Sequence, residues 1–325
     1  MEWSCINQDS NEIQFDILKI DSCIQKEKFY KDGENLFLLY SENNSFQEQK
    51  FDYPKYFAKV KFSNFEYIGI LSKFLKKENY GYIHFENGDE YFGQWNKDKK
   101  EGYGIYFFKG EEKGVINQVY IGEFKKNFKS GEGIYFIISN FDDKNKVDNF
   151  APPSAFNLLV GIFSEDQFVK GLLFTYDEGK RKIYKGIINK EGDRDDDNAE
   201  IYEDNDKIFF GKVKKNNLIE GRTIIMKDGE KDTGYYFIRR GNNNSDDNFD
   251  YDYEKGAEND NKYINKLNEM NFTFDVGKIQ EIFVNIMKIK EKLNSSDNFE
   301  YIKNLNYDVE VKQELRNQYG KYLFC

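Results

Sequence analysis

From about residue 57 to residue 240, apolar and polar side chains alternate with a period of two. In EYFGQWNKDKKEGYGIYFF this puts Tyr91, Gly93 and Trp95 on one face of a strand and Phe92 and Gln94 on the other. Turn-forming pairs punctuate the alternation at Asn87-Gly88, Glu178-Gly179, Asn205-Asp206 and Asp228-Gly229. The pattern predicts short strands joined by tight hairpins, each hairpin running on into the next as an antiparallel meander. Near residue 275 the period changes. Ile279, Ile282, Phe283, Ile286, Ile289 and Leu293 recur at helical spacing, with Asp275 as a fitting N-cap, and predict a helix over 275–293. A second helix is expected over 308–319, with Val309, Val311, Leu315 and Tyr319 as its apolar positions. A single-layer sheet exposes a broad apolar face, so the first helix is expected to cover it, ahead of docking on another protein.

The alternating region repeats itself. Tyr91-Phe92-Gly93-Gln94-Trp95 has copies at 67–71, 120–124, 159–163, 184–188, 209–213 and, more weakly, 232–236; the central glycines step by 24, 29, 39, 25, 25 and 23 residues. A second half-motif follows each first one. KKEGYGIYFF is matched by KSGEGIYF and by KKENYGYIHF, where Asn79 stands in the place of Gly102, and more loosely by VKGLLFTY and IEGRTIIM. A glycine inside a strand is costly unless something uses the missing side chain. The expected use is an aromatic ring of one repeat lying over the bare backbone of its neighbour's glycine. The glycines are not a phosphate cradle, because neither a strand–GxGxxG–helix nor a GxxxxGK[ST] context is present.

The spacing Y-x-G-x-[FW]…G-x-G-x-[YF] resembles the membrane occupation and recognition nexus (MORN) repeat. Residues 86–136 match closely. Units at 67–85, 159–179 and 184–236 match with substitutions such as Leu159 for Tyr and Ala199 for Gly, so the resemblance spans about half the chain. It implies a mainly β fold, an elongated and twisted antiparallel meander of hairpins, with the helical segment appended. It also implies a non-enzymatic scaffold for protein–protein interaction, similar to radial-spoke head proteins, junctophilins and cortical cytoskeletal proteins. The expected setting is a cytoplasmic, cytoskeletal assembly of the ciliary or axonemal kind, with other subunits as partners and dimerisation left open. A peripheral membrane or cortical tether, or a localisation module for an enzyme on another chain, is the alternative.

Residues 1–56 contain strand-like pieces and read as an N-terminal cap, with Ala58 in the glycine position of a decayed first unit. Two insertions are expected in the array, at 139–157 and 191–206. Residues 241–262 read as an acidic, Asn-rich linker before the helical segment 263–325. Within the second insertion, DRDDDNAEIYED has acids at three positions of a calcium-loop pattern. Asn198 replaces the required glycine, Asp204 the required glutamate, and no helices flank it, so it reads as a solvated acidic hairpin tip.

Charge narrows the function. The 325 residues have a net charge of -10, and a general affinity for nucleic acid needs the opposite sign. Cys5, Cys23 and Cys325 are three and widely spaced, which suits a reducing compartment better than a disulfide framework. Neither a secretory leader nor a membrane-spanning run is legible. There is a single histidine, His84, and it occupies the strand position that Phe107 fills one unit later. No catalytic set and no metal or cofactor site can be assembled around it, so no enzyme is expected. In a meander, alternate turns fall on opposite edges. The turns within units (NKDKK, KKNFK, KVKKNN) are basic and those between units (ENGDE, DEGK, EDND) acidic, with SEDQF breaking the rule. The candidate partner-binding residues are therefore Tyr91, Trp95, Tyr120 and Phe124 on the repeat face and Lys99, Lys100, Lys125 and Lys126 on the basic edge.

Overall fold

The computed structural model describes residues 15–16, 27–32, 35–40, 55–61, 64–72, 76–110, 116–140, 153–204, 207–227, 230–239, 249–252, 265 and 275–305. The strands are β1 (Phe15–Asp16), β2 (Glu27–Asp32), β3 (Asn35–Tyr40), β4 (Lys55–Lys61), β5 (Phe65–Ser72) and β6 (Lys77–Phe85). They continue through β7 (Glu90–Asn96), β8 (Lys99–Lys109), β9 (Ile116–Lys125), β10 (Phe128–Asn140), β11 (Ala155–Ser164) and β12 (Gln167–Asp177). The last six are β13 (Lys180–Ile187), β14 (Asp196–Glu203), β15 (Lys207–Lys214), β16 (Asn217–Lys227), β17 (Glu230–Arg239) and β18 (Phe249–Asp252). Among the described residues these form one 18-stranded sheet in which each strand pairs antiparallel with the next. Among the described residues Asn265 is helical, and two helices follow it, α1 (Val276–Leu293) and α2 (Asn298–Asn304).

The glycines fix the register. Gly69 stands opposite Gly81, Gly93 opposite Gly104, Gly161 opposite Gly171 and Gly211 opposite Gly221, so each half-motif glycine meets the other half's. The hairpins within units turn in two residues, both with positive φ: Lys97-Asp98, Lys126-Asn127, Glu165-Asp166 and Lys215-Asn216. That is the mirror-image turn whose twist matches the strands, and Asp and Asn tolerate it best. Each hairpin adds a bulge. Gly93 pairs with Gly104 while Trp95 pairs with Lys100, and Gly102 in the excess segment has φ 86°. Asn79 (φ 57°) and Gly131 (φ 60°) play the same part, which explains why asparagine replaces glycine at 79.

The alternation sorts side chains onto two faces. On one, Ile68, Tyr82, Phe92, Ile105, Phe107, Ile121, Ile134 and Phe136 are buried together with Ile279, Phe283, Ile286, Leu293 and Ile302 of the helices. Capping is thus the arrangement adopted. The Asp275 side chain accepts a hydrogen bond from the Lys278 N–H (2.9 Å), as expected for the N-cap. The opposite face collects Tyr67, Tyr91, Trp95, Tyr120, Phe124 and Phe163.

Several expectations need correction. Strands are present in the N-terminal region as expected, β1 to β3, but they pair into the same ladder, so the sheet begins before residue 57. Of the stretch expected as an acidic hairpin tip, residues 193–195 do lie in the turn between β13 and β14, but 196–203 do not. Residues 196–203 form β14, in which Ala199 pairs with Gly211 as a repeat position. β11 begins at Ala155, inside the stretch taken as a loop. The helix expected over 308–319 lies outside the described residues, as do 241–248 and 253–262 of the linker expected over 241–262, whose residues 249–252 instead form β18. The short helix α2, which shows no long apolar period, was not expected.

Candidate interaction surface

The repeat motif builds one unit of side chains several times over. Each leading tyrosine folds along its own strand. The Tyr67, Tyr91, Tyr120 and Tyr184 hydroxyls donate to the carbonyls of Ile70, Gln94, Glu123 and Ile187, three residues on, at 2.8–3.0 Å. The ring thereby crosses the glycine two residues on and that glycine's cross-strand partner. A Cβ placed on Gly93 would lie 2.3 Å from the Tyr91 hydroxyl, and one on Gly104 2.5 Å from its Cε2. The ring therefore covers the glycines of its own unit, not those of the neighbouring unit. Contact between units is edge-to-face. Tyr91 meets its own Trp95 at 5.1 Å and Phe124 of the next unit at 5.1 Å, and Tyr120 meets Phe124 at 5.1 Å and Phe163 at 5.0 Å. Such pairs add about 0.5–1.5 kcal/mol each beyond burial. The result is a continuous aromatic ladder that stiffens the sheet along its length.

A second set of contacts ties each turn to the one before it. The Asp98 N–H donates to the Lys77 carbonyl (3.1 Å), while the Lys77 N–H donates to Asp98 Oδ1 (2.9 Å). Asn127 and Lys100, Asp166 and Lys129, and Asn216 and Arg194 repeat the reciprocal pair. This clamp holds the basic side chain over the ladder. Lys100 Nζ lies 4.2 Å from the Tyr106 ring centre, 5.5 Å from Phe124 and 5.6 Å from Tyr91. Lys129 sits likewise over Tyr135, Phe108 and Tyr120. Lys77 has an Asp at the clamp and adds an ion pair to Asp98 at 3.3 Å, but Lys100 has the neutral Asn127. Burial pushes the Lys100 amine down to about 8, with Lys129 adding to the fall and Asp166 and Asp89 opposing it. Burial lowers Lys129 too.

On the helix face, one carboxylate breaks the apolar surface. Glu90, 2% exposed, receives Lys290 Nζ at 2.9 Å and Asn294 Nδ2 at 3.1 Å from α1, while Asn294 Oδ1 accepts from the Tyr82 hydroxyl at 2.7 Å. His84 Nδ1 stands 3.6 Å away on the neighbouring strand. Burial alone would raise the Glu90 carboxyl. His84, Lys290 and Asn294 outweigh it and hold Glu90 below the ordinary range, while His84 is raised by its contact with Glu90. The single histidine therefore belongs to the seat of the helix. Nothing in the sequence period marked Glu90, Lys290 or Asn294; the only trace was an acid at the start of a strand otherwise rich in aromatics.

The sequence-selected residues separate into two groups. Tyr91, Tyr120, Trp95 and Phe124 are enclosed, at 0%, 0%, 5% and 4% exposure, and pack on one another and on the neighbouring side chains of the ladder. Lys100 packs on them. Lys99, Lys125 and Lys126 are exposed, with Lys97, on the edge formed by the within-unit turns. Phe128, just after Lys126 and Asn127, is 49% exposed. Among the described residues no group of His, Cys, Asp or Glu is placed to hold a metal ion, and no helix is long and apolar enough to cross a membrane. The family model of the MORN repeat matches residues 91–110 and 120–137, the two units with the most regular ladder. That module is a non-catalytic repeat. No curated protein matches the chain.

Proposed function

We propose that this chain, a MORN-repeat protein, is a non-enzymatic scaffold that binds an acidic protein partner within a large cytoskeletal assembly of the ciliary or axonemal kind. MORN repeats commonly mediate protein or membrane binding, and the chain's own geometry supports a stiff spacer with a charged edge. The observation that carries this reading is the exposed lysine row, Lys97, Lys99, Lys125 and Lys126, on consecutive hairpins. Two strands separate successive turns, so the row has a pitch of about 10 Å. The ladder beneath it keeps that pitch fixed. α1 and α2 cover one face from β4 to β11 and the ladder aromatics are enclosed, whereas these lysines are exposed.

A second reading has its own support. Phe128 stands exposed beside the lysines, and an apolar side chain among cations suits an anionic membrane surface. The test reverses Lys99, Lys125 and Lys126 to Glu and leaves Lys100, which packs on the ladder. Co-sedimentation with polymerised tubulin, whose surface is acidic, should fall about tenfold or more while thermal unfolding is unchanged. Parallel sedimentation with vesicles of phosphatidylserine and phosphatidylcholine separates the readings. Unchanged tubulin binding by the variant refutes the scaffold edge. Binding to vesicles alone, lost in Phe128→Ser, replaces it with the tether.

A further inference from the structure

The path of the helical unit across the sheet has a consequence for assembly. The chain leaves the sheet at β18 but seats α1 much further back. Gln280 Nε2 donates to the Pro153 carbonyl (3.0 Å) and Phe283 packs 6.0 Å from Phe136 of β10. Lys290 and Asn294 then reach Glu90 of β7, and Phe299 of α2 lies 5.2 Å from Phe57 of β4. From β18 to β10 is eight strand spacings, about 38 Å. Asp252 and Asp275 stand 23 residues apart in the chain, a length of about 80 Å if fully extended and shorter where Asn265 is helical. The connection is longer than its own seat requires, so the seat of an adjacent copy also comes within reach.

The seat is also selective. Ile279, Phe283, Ile286 and Leu293 follow one another at steps of four, three and seven, an apolar stripe that meets the sheet, with Lys290 at the position between the last two. Glu90 reads a cation and an amide one turn apart, Lys290 and Asn294, and its burial penalises any helix lacking them. The helix known to satisfy this pattern is the chain's own, and a second copy supplies it without change.

We propose that the α1–α2 unit exchanges between two copies of this chain, each sheet seating the other's helices on the face from β4 to β11. The contacts that α1 and α2 make with the sheet are reproduced in the exchanged pair. The balance is then set by chain concentration against an intramolecular effective concentration of roughly millimolar. The closed form dominates in dilute solution, and exchange takes over where copies are crowded side by side. The inference does not depend on the partner of the lysine edge.

The test uses two full-length charge variants, Glu90→Lys and Lys290→Glu. Alone, each places like charges in its own seat and in that of its homodimer. Mixed, the exchanged heterodimer has one carboxylate and one cation in both seats. Light scattering after equilibration should give about twice the 38.7 kDa chain mass for the mixture and a single-chain mass for each variant. Two monomers in the mixture, with sheet circular dichroism intact, overturn the proposal. So does equal dimerisation of the separate variants. Should either variant fail to fold, the otherwise native sequence decides. A photoreactive phenylalanine analogue at position 283, in equal parts of light and nitrogen-15-labelled chain near 0.5 mM, should cross-link to β10 in mixed-isotope pairs. Same-isotope pairs only overturn exchange.

Discussion

Replacing Gly104 with alanine tests the ladder where the Tyr91 ring crosses onto the partner strand. The added Cβ would sit 2.5, 2.6 and 2.8 Å from Cε2, Oη and Cζ of Tyr91. The ring cannot retreat, because Trp95 and Phe124 hold it edge-to-face at 5.1 Å and its hydroxyl is bonded to the Gln94 carbonyl at 2.9 Å. Overpacking of this kind costs about 1–3 kcal/mol. Tyr91→Leu removes the ring and its hydrogen bond and should cost about 2–4 kcal/mol. If the glycine is required because the ring lies over it, the two losses do not add. The double variant should be no less stable than Tyr91→Leu alone, a coupling of about 1–3 kcal/mol. Urea unfolding, followed by far-UV circular dichroism and by Trp95 fluorescence in a Trp3→Phe background, measures all four corners of the cycle. Additivity within about 0.5 kcal/mol would refute the reasoning and make Gly104 a matter of backbone freedom alone.

Glu90→Ala should cost about 2–4 kcal/mol and lower amide-exchange protection in α1, because it strands Lys290 (side chain 15% exposed) without an acceptor; Glu90→Gln should cost less. A loss below about 0.5 kcal/mol for Glu90→Ala would show that the carboxylate does not hold the helix. Since the folded Glu90 carboxyl lies below its ordinary 4.5, it adds stability above that pH and loses it as pH falls through the folded value, so Glu90→Gln should flatten the acid limb of the stability curve. Lys100 acts in the opposite range. Its folded value of about 8 lies below the ordinary 10.5, so the unfolded chain binds more protons between them and stability should rise from about pH 8 until tyrosine ionisation intervenes near 10. Lys100→Gln should remove that rise in pH-dependent urea midpoints. Gly277→Ala serves as a positive control. Its Cβ would meet only Asp275 Oδ1, at 3.2 Å, and helix propensity should stabilise the protein by about 0.5–1 kcal/mol in the same assay.

The sequence by itself determined the sheet. A period of two fixes which face each side chain takes, and the recurring tyrosine and glycine fix the register, because only a glycine pair lets a tyrosine lie flat across two strands. Helix α1 and its Asp275 cap were equally legible, since helical period and capping are local properties. The acidic stretch at 196–203 misled because charge outweighed the Ala199 repeat position in the reading, although its strand pairing is ordinary. Tertiary structure alone decided what the local pattern does not encode. It set which glycines each ring covers, because each tyrosine follows its own strand to the carbonyl three residues on. It enclosed Tyr91, Trp95, Tyr120 and Phe124, which face the same way in the sequence whether or not neighbouring units close over them. It divided lysines adjacent in the chain, turning Lys99 to solvent and Lys100 onto the rings. It also joined Glu90 to Lys290 and Asn294, two hundred residues away in the chain, because a lone carboxylate on an apolar face is stable only where the covering helix brings it a cation.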